Sequence, residues 1–376
     1  MVYREIERLK ERPSLLGYGC MRLPTVPDSN GTVDEEKAYA LIHRALEAGV
    51  NYFDTAYLYH NGQSEAVLGR VLQGVDRRTY RLATKLPVGM VKTQEDALRI
   101  LEEQLDRLQT DYIDFYLLHG IGRERWENTK ELGLIPLFEQ LQREGKIRHF
   151  GFSFHDSYEV FEEILTYRQW DFCQIQLNYM DVDFQAGLKG CRLAEKLGVP
   201  VFVMEPVKGG SLANLPEHIA DLFRSANPSV TPASWAMRWA VSAPAVKVVL
   251  SGMTEMAQLE DNLKTFAAVE PLTAEDYAVV DRVAGAIRGL VKNGCTGCGY
   301  CMPCPFGVDI PRNFSVWNEY AMYHNVRNTR HMYRTVLGES RADRCKKCGA
   351  CESKCPQSIA IRADLERLHQ ELQAVE

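Results

Sequence analysis

Arg81-Leu-Ala-Thr-Lys-Leu86, then Thr93-Gln-Glu-Asp-Ala-Leu-Arg-Ile-Leu-Glu-Glu-Gln-Leu-Asp-Arg-Leu108, then Ile113-Asp-Phe-Tyr-Leu-Leu-His119 follow one another along the chain. The outer two are short apolar runs of strand length. The middle one opens on Thr93 with Asp96 three residues later, the pattern of a capping box. Apolar residues then recur at Ala97, Ile100, Leu101, Leu105 and Leu108, near a 3.6-residue period, with Gln104 the polar exception on that face. Similar units lie on either side. Strand-like runs read at Leu15–Leu23, Tyr52–Thr55, Arg81–Leu86, Ile113–His119, Ile147–Phe152, Phe172–Leu177, Pro200–Met204 and Val246–Leu250, and residues 135–143 and 256–267 read as helices. Strands alternating with helices in this number fit a (β/α)8 barrel; an open doubly wound sheet is the competing arrangement.

A barrel carries its active site at the C-terminal ends of its strands. Reactive polar residues fall there: Asp54, Lys85, His119, Ser153, Gln174 with Asn178 just beyond, and Glu205. Asp54, Tyr59, Lys85 and His119 have a joint chemical logic. A free phenol titrates near 10 and is a poor acid at neutral pH. An ammonium beside it favours the phenolate, a carboxylate holds the ammonium, and a histidine can hydrogen-bond a carbonyl oxygen. Singly each has a structural reading: a cap, a packing ring, a strand-end lysine, a buried imidazole.

The chain has 376 residues, 45% hydrophobic and 25% charged, with a formal charge of −6. That is ordinary globular composition and excludes a generally basic nucleic-acid binder. No apolar run is long enough to span a membrane, and Met1–Ser14 has no apolar core of a secretory signal, so a cytoplasmic setting is expected.

Of 11 cysteines, Cys20, Cys173 and Cys191 are scattered; the rest form two runs. These are Cys295-x2-Cys298-x2-Cys301-x2-Cys304-Pro305 and Cys345-x2-Cys348-x2-Cys351-x3-Cys355-Pro356. The second has the spacing of a bacterial [4Fe–4S] run, whose fourth cysteine serves the other cluster. The first is one residue short before its last thiol, which leaves a smaller cluster there as the alternative. Zinc needs pairs of thiols and would leave a surplus, and disulfides have no secretory context. Two [4Fe–4S] clusters are the expectation. With exchanged fourth ligands, one takes Cys295, Cys298, Cys301 and Cys355, the other Cys345, Cys348, Cys351 and Cys304. The domains are read as 1–288 and 289–376. Residues 313–337 read as helical, and Ile361, Leu365, Leu368 and Leu372 give the tail one apolar face, expected to dock on the barrel or on another subunit. Residues 290–376 carry 12 basic and 9 acidic side chains, a +3 excess that offsets cluster charge.

Asp54-Thr-Ala-Tyr-Leu-Tyr59, Ala83-Thr-Lys85 and Leu117-Leu-His119 resemble, in order and spacing, the catalytic tetrad of the aldo/keto reductase family. Gly17-Tyr-Gly-Cys-Met-Arg22, Gly151-Phe-Ser153, Gln174-Ile-Gln-Leu-Asn178, Glu205-Pro-Val-Lys-Gly-Gly210 and Gln258-Leu-Glu-Asp-Asn262 extend the likeness over about residues 3–285. With its cysteine tail the chain is similar to a subgroup carrying a C-terminal two-cluster ferredoxin-type domain. The resemblance implies a (β/α)8 barrel that interconverts a carbonyl and an alcohol with NAD(P)H. Tyr59 would be the acid/base, Lys85 and Asp54 would tune it, and His119 would orient the carbonyl. Ser153 and Gln174, with Asn178, would hold the nicotinamide amide; Asp261 and Asn262, with Gln258, would meet the adenine; Met204 stands where many members stack an aromatic ring. Phe154 replaces the family's common Asn after Ser153. Residues 251–258 contain Glu255 and no Lys or Arg to meet a 2′-phosphate, so NADH and NADPH both stay open. Hydride moves two electrons and a cluster one, so coupling the two halves calls for a flavoprotein or other electron-transfer partner. The alternative is an electron-carrier or redox-sensing subunit whose barrel binds nucleotide without turnover. The loops at 24–33, 120–134 and 207–230 would shape the pocket. Their Arg123 and Arg125 are either solvated or placed to meet an anionic substrate.

Overall fold

The computed structural model describes residues 1–29 and 31–375; Asn30 of the 24–33 loop and Glu376 at the end of the tail lie outside the described residues. Eight strands, β1 (Leu16–Gly19), β2 (Tyr52–Asp54), β3 (Arg81–Leu86), β4 (Ile113–Ile121), β5 (Ile147–Phe154), β6 (Phe172–Gln176), β7 (Val201–Met204) and β8 (Val246–Ser251), close in chain order into a parallel barrel, with β8 pairing back onto β1. The open sheet is thereby excluded. β1 stops at Gly19, where a tight turn over Cys20–Arg22 replaces the extended chain read as far as Leu23.

The helices are α1 (Glu35–Glu47), α2 (Gln63–Val71), α3 (Gln94–Leu108), α4 (Arg123–Glu131), α5 (Leu134–Arg143), α6 (Tyr158–Tyr167), α7 (Gly187–Lys196), α8 (Glu217–Ala226), α9 (Pro232–Val241), α10 (Met256–Ala267), α11 (Ala274–Arg288), α12 (Ile310–Tyr323), α13 (Val326–Arg330) and α14 (Ile361–Gln373). The capping box at Thr93 and Asp96 is formed. By packing, the chain divides into Met1–Gly209 with Ala233–Ala274, and Gly210–Pro232 with Glu275–Glu376. The second unit thus takes in α8 and α11, which lie ahead of the compositional shift near 288.

Strand side chains alternate with a period of two, so alternate residues of each strand face the barrel interior. Tyr52, Phe115, Phe172 and Phe202 form a closed ring of edge-on and tilted contacts there, with neighbouring centroids 4.8–5.3 Å apart. Ile6 packs on this cluster from a short N-terminal hairpin, bridged at Tyr3–Ser14 and Ile6–Glu11, that the sequence pattern did not show. Glu11 of the hairpin binds Arg81 at 2.8 Å and His149 at 3.3 Å, tying it to β3 and β5. At Gly151 any side chain is excluded, since a Cβ would lie 2.5 Å from the Phe172 carbonyl of the adjoining strand.

In the second unit the apolar core is Val308, Ile310, Phe314, Trp317, Tyr333 and Leu337 with Ile361, Leu365, Leu368 and Leu372. The apolar face of α14 is therefore buried on its own module, not free to cover the barrel or another subunit as expected. Trp317 Nε1 donates to Glu371 at 2.7 Å and fixes α12 against α14. The helix read over 313–337 breaks at His324, whose φ of 48° ends α12.

Phe172→Ala removes one member of the aromatic ring. Urea denaturation followed by far-UV circular dichroism is expected to show a loss of about 3–5 kcal/mol of barrel stability.

Candidate active site

The same alternation that builds the aromatic layer sets the layer above it. Asp54 is two residues past Tyr52, Lys85 two past Ala83, His119 four past Phe115, Gln174 two past Phe172 and Met204 two past Phe202. All point to the interior at the C-terminal mouth. Lys85 and Asp54 are 1% and 3% exposed, and Lys85 Nζ donates to Asp54 Oδ1 at 2.6 Å and to the Thr55 carbonyl at 2.7 Å. Nζ lies 5.0 Å from the Tyr59 ring centroid, and the Tyr59 and His119 rings meet edge-on at 5.9 Å. The structure brings the four residues together. Tyr57, two residues away, faces elsewhere: its hydroxyl donates to Glu103 at 2.6 Å and Arg107 stacks on its ring. The turn that aims Tyr59 inward uses left-handed His60 and Asn61, and His60 Nε2 accepts the Leu23 N–H at 3.0 Å.

Burial disfavours the Lys85 ammonium, but Asp54 and the phenol hold it charged and raise its pKa. Burial pushes the Asp54 carboxyl up while Lys85 opposes that. For Tyr59 burial outweighs the pull of Lys85, so its pKa is raised rather than lowered. This corrects the acidified phenol expected from sequence: removal of water from the ring costs the phenolate more than the ammonium returns. Burial, then Lys85, His155 and Arg125, holds His119 down to about 3, so its imidazole is neutral at physiological pH.

Behind Lys85 lies a polar network that the sequence reading missed. Gln104 Nε2 donates to the Lys85 carbonyl at 3.0 Å and to Glu65 at 2.7 Å, and Gln104 Oε1 accepts from Tyr116 at 2.7 Å. Glu65, wholly buried, also accepts from Thr84 and Arg107. The signal was present: Gln104 interrupts the apolar face of α3, and a buried amide must have partners.

Ser153 and Gln174 are register neighbours on β5 and β6, 1% and 2% exposed. Gln174 Oε1 is buried with no hydrogen-bond partner, so it is available to accept from the amide of a nicotinamide. That orphaned acceptor fits the expected group. Asn178 differs: its amide donates to Asp181 and the Glu205 carbonyl and accepts from the N–H groups of Met180 and Asp181, so its capacity is taken up by its own loop. Met204 is half-buried at the end of β7, and Glu205 beyond it lies 4.0 Å from Arg22. On α10, Gln258 Oε1 accepts from the N–H groups of Thr254 and Glu255, and buried Asn262 donates to Ser251. Asp261 is half-buried beside it.

In the tail all eight cysteines are free thiols. One pocket is lined by Cys295, Cys298, Cys301 and Cys355. A second is lined by Cys304, Cys345, Cys348 and Cys351, with Cys301 on its edge. The fourth thiol of each run thus lies with the first three of the other. Among the described residues no three donor side chains converge on a point that would hold a single ion. Thiols spread around a cavity fit a multi-iron cluster, which has a volume of its own. No helix among the described residues is long and apolar enough to cross a membrane.

Residues 15–284 match the model of the aldo/keto reductase family, and residues 294–360 that of a 4Fe-4S dicluster domain. The uncharacterized oxidoreductase YqkF of Bacillus subtilis is 28% identical over 293 residues, 70% of this chain and 90% of that one. The L-galactose dehydrogenase of Arabidopsis thaliana is 27% identical over 307 residues, 74% and 92% of the two chains. The holo form of aldo-keto reductase AKR11C1 from Bacillus halodurans superposes with a TM-score of 0.62 at 29% identity, covering 75% of this chain and 96% of that one. The chain belongs to the aldo/keto reductase family of oxidoreductases and carries a C-terminal 4Fe-4S dicluster domain.

Proposed function

We propose that the barrel interconverts a carbonyl and an alcohol by hydride transfer, with Tyr59 as proton donor and acceptor, and that the tail holds two [4Fe–4S] clusters. The observation that carries the first part is the buried Lys85–Asp54 pair under Tyr59, with a neutral His119 edge-on to the phenol. A dinucleotide, NADH or NADPH, supplies the hydride when bound. Gln174 and Ser153 hold its carboxamide, Met204 covers the ring, and Asp261, Asn262 and the start of α10 meet the adenine end. Asn178 shapes the loop beside it.

His119 offers a ring N–H to the carbonyl oxygen. It adds no positive charge, so it orients the substrate without competing with Lys85. Tyr59, protonated well past neutrality, gives its proton to that oxygen as negative charge builds there. The phenolate left behind faces an ammonium already fixed by Asp54 and the Thr55 carbonyl, so no group must reorganise. Alcohol oxidation runs the same residues backwards. The L-galactose dehydrogenase among the relatives accords with alcohol–carbonyl chemistry without naming this substrate.

For the tail, the grouping of thiols around the two cavities supports clusters with exchanged fourth ligands. Bound clusters carry single electrons, so exchange with the barrel calls for a flavin-bearing or other electron-transfer partner. The chain acts in the cytoplasm on a small carbonyl or alcohol.

Tyr59→Phe is expected to lower kcat for NAD(P)H-linked carbonyl reduction by about 10²–10⁴-fold. Reduction surviving at the wild-type rate would remove Tyr59 from this role. The acid form of Tyr59 is present below its raised pKa and neutral His119 above about 3, so kcat for reduction should be level from neutral pH up toward the ordinary phenol range near 10, and fall in acid as the raised Asp54 carboxyl takes up a proton, in a stopped-flow profile. Anaerobically purified protein should contain iron and sulfide for two clusters per chain, and Cys355→Ser should halve the iron; zinc in their place would overturn the assignment. Anaerobic chelation of that iron should open residues 289–376 to protease while barrel circular dichroism persists.

A further inference from the structure

Arg125, in the first turn of α4, has no part in the chemistry above. Its Nη1 donates to the Gly120 carbonyl at 2.8 Å, one residue past His119. A Cβ on Gly120 would lie 2.6 Å from that nitrogen, and one on Gly89 would lie 3.6 Å from Arg125 Nε. The guanidinium therefore sits between the end of β4 and the loop after β3, at the rim of the mouth beside His119. Its helix neighbours are neutralised: Arg123 pairs with Glu163 and Glu127, and Lys130 with Glu127. Asp156 in the facing loop is taken up by the N–H groups of Arg123 and Ser157. Among the described residues Arg125 has no carboxylate partner, and the side chain is exposed, so its remaining donors face solvent. A cation in the first turn of a helix also opposes the helix dipole, so local stability does not account for it.

Of the other charges at the mouth, Lys85 is matched by Asp54, and Arg22 lies 4.0 Å from Glu205. The groups acting on His119 are Lys85, His155 and Arg125. Arg125 brings to the side of His119 a positive, planar fork suited to an oxyanion.

We propose that the substrate carries a carboxylate or phosphate close to its reacting carbonyl and that Arg125 binds it. This rests on the hydride-transfer reading and narrows it to anionic oxo compounds and the matching hydroxy compounds. The remaining guanidinium donors take the oxyanion while His119 and Tyr59 take the carbonyl oxygen, which fixes the substrate at two points.

The test uses full-length, anaerobically prepared holoprotein and two matched pairs. Phenylglyoxylate against its methyl ester reads a carboxylate, and glyceraldehyde 3-phosphate against glyceraldehyde reads a phosphate. The wild type should favour the anionic member of at least one pair by about tenfold or more in kcat/KM, and the pair identifies the anion. Arg125→Gln should cut that ratio at least about tenfold, mainly through KM, and Arg125→Lys should restore part of it. A ratio near one in the wild type, or one unmoved by Arg125→Gln, overturns the assignment. If no carbonyl is reduced at all, the hydride-transfer reading fails. Calorimetric binding of phenylglyoxylate and inorganic phosphate, compared between wild type and Arg125→Gln, then decides the Arg125 site separately: loss of binding in the variant upholds it, and equal binding refutes it.

Discussion

A charged lysine and a carboxylate lie buried at the mouth of the barrel, and the site depends on their pairing. Taking two ions out of water costs several kcal/mol each, and only close geometry with every remaining donor satisfied offsets it. Lys85 places its donors on Asp54, the Thr55 carbonyl and the Tyr59 hydroxyl, while Asp54 Oδ2 stays buried without a partner. That demands a fixed register between β2 and β3, Asp54 opposite Ala83, which puts Lys85 one rung higher. The register is held from below by the aromatic ring and from outside by the Gln104–Glu65 network that grips the Lys85 carbonyl. The ammonium then stands ready beside a phenol that would otherwise be too costly to ionise.

The two halves are stabilised by different physics. The barrel has a dense apolar interior. The tail has a small core of α12 and α14 side chains and two thiol-lined cavities against it. Fourth thiols shared between runs, as proposed, would tie the two runs together and would link iron to fold there. The hydride transfer proposed for the barrel moves two electrons together, whereas a cluster of the kind proposed for the tail moves one. Joining the two processes is a matter of what else binds.

Much of this was legible beforehand. The eight strands were read because apolar runs of strand length are bounded by capped helices, and the tetrad because strand ends and barrel mouths coincide. The sites that were missed or misjudged have a common cause. Gln104 is the polar exception on a helix face, and only the fold brings Glu65, Thr84 and Tyr116 around it. The N-terminal hairpin is held by Glu11 to residues far along the chain. The face of α14 was plain in sequence, but the sequence could not tell which of several apolar surfaces it meets.

Local pattern alone determined which segments are strands, which residues share the inward row, and which thiols are spaced to wrap a cluster, because these follow from a two-residue pleat, a 3.6-residue turn and short covalent reach. Tertiary structure alone decided that the phenol's pKa is raised rather than lowered, that the apolar face of α14 is buried on its own module, and that Arg125 has no carboxylate partner among the described residues. Each of those depends on water removed and charges assembled by segments distant in the chain, and distances of that kind are absent from a linear string.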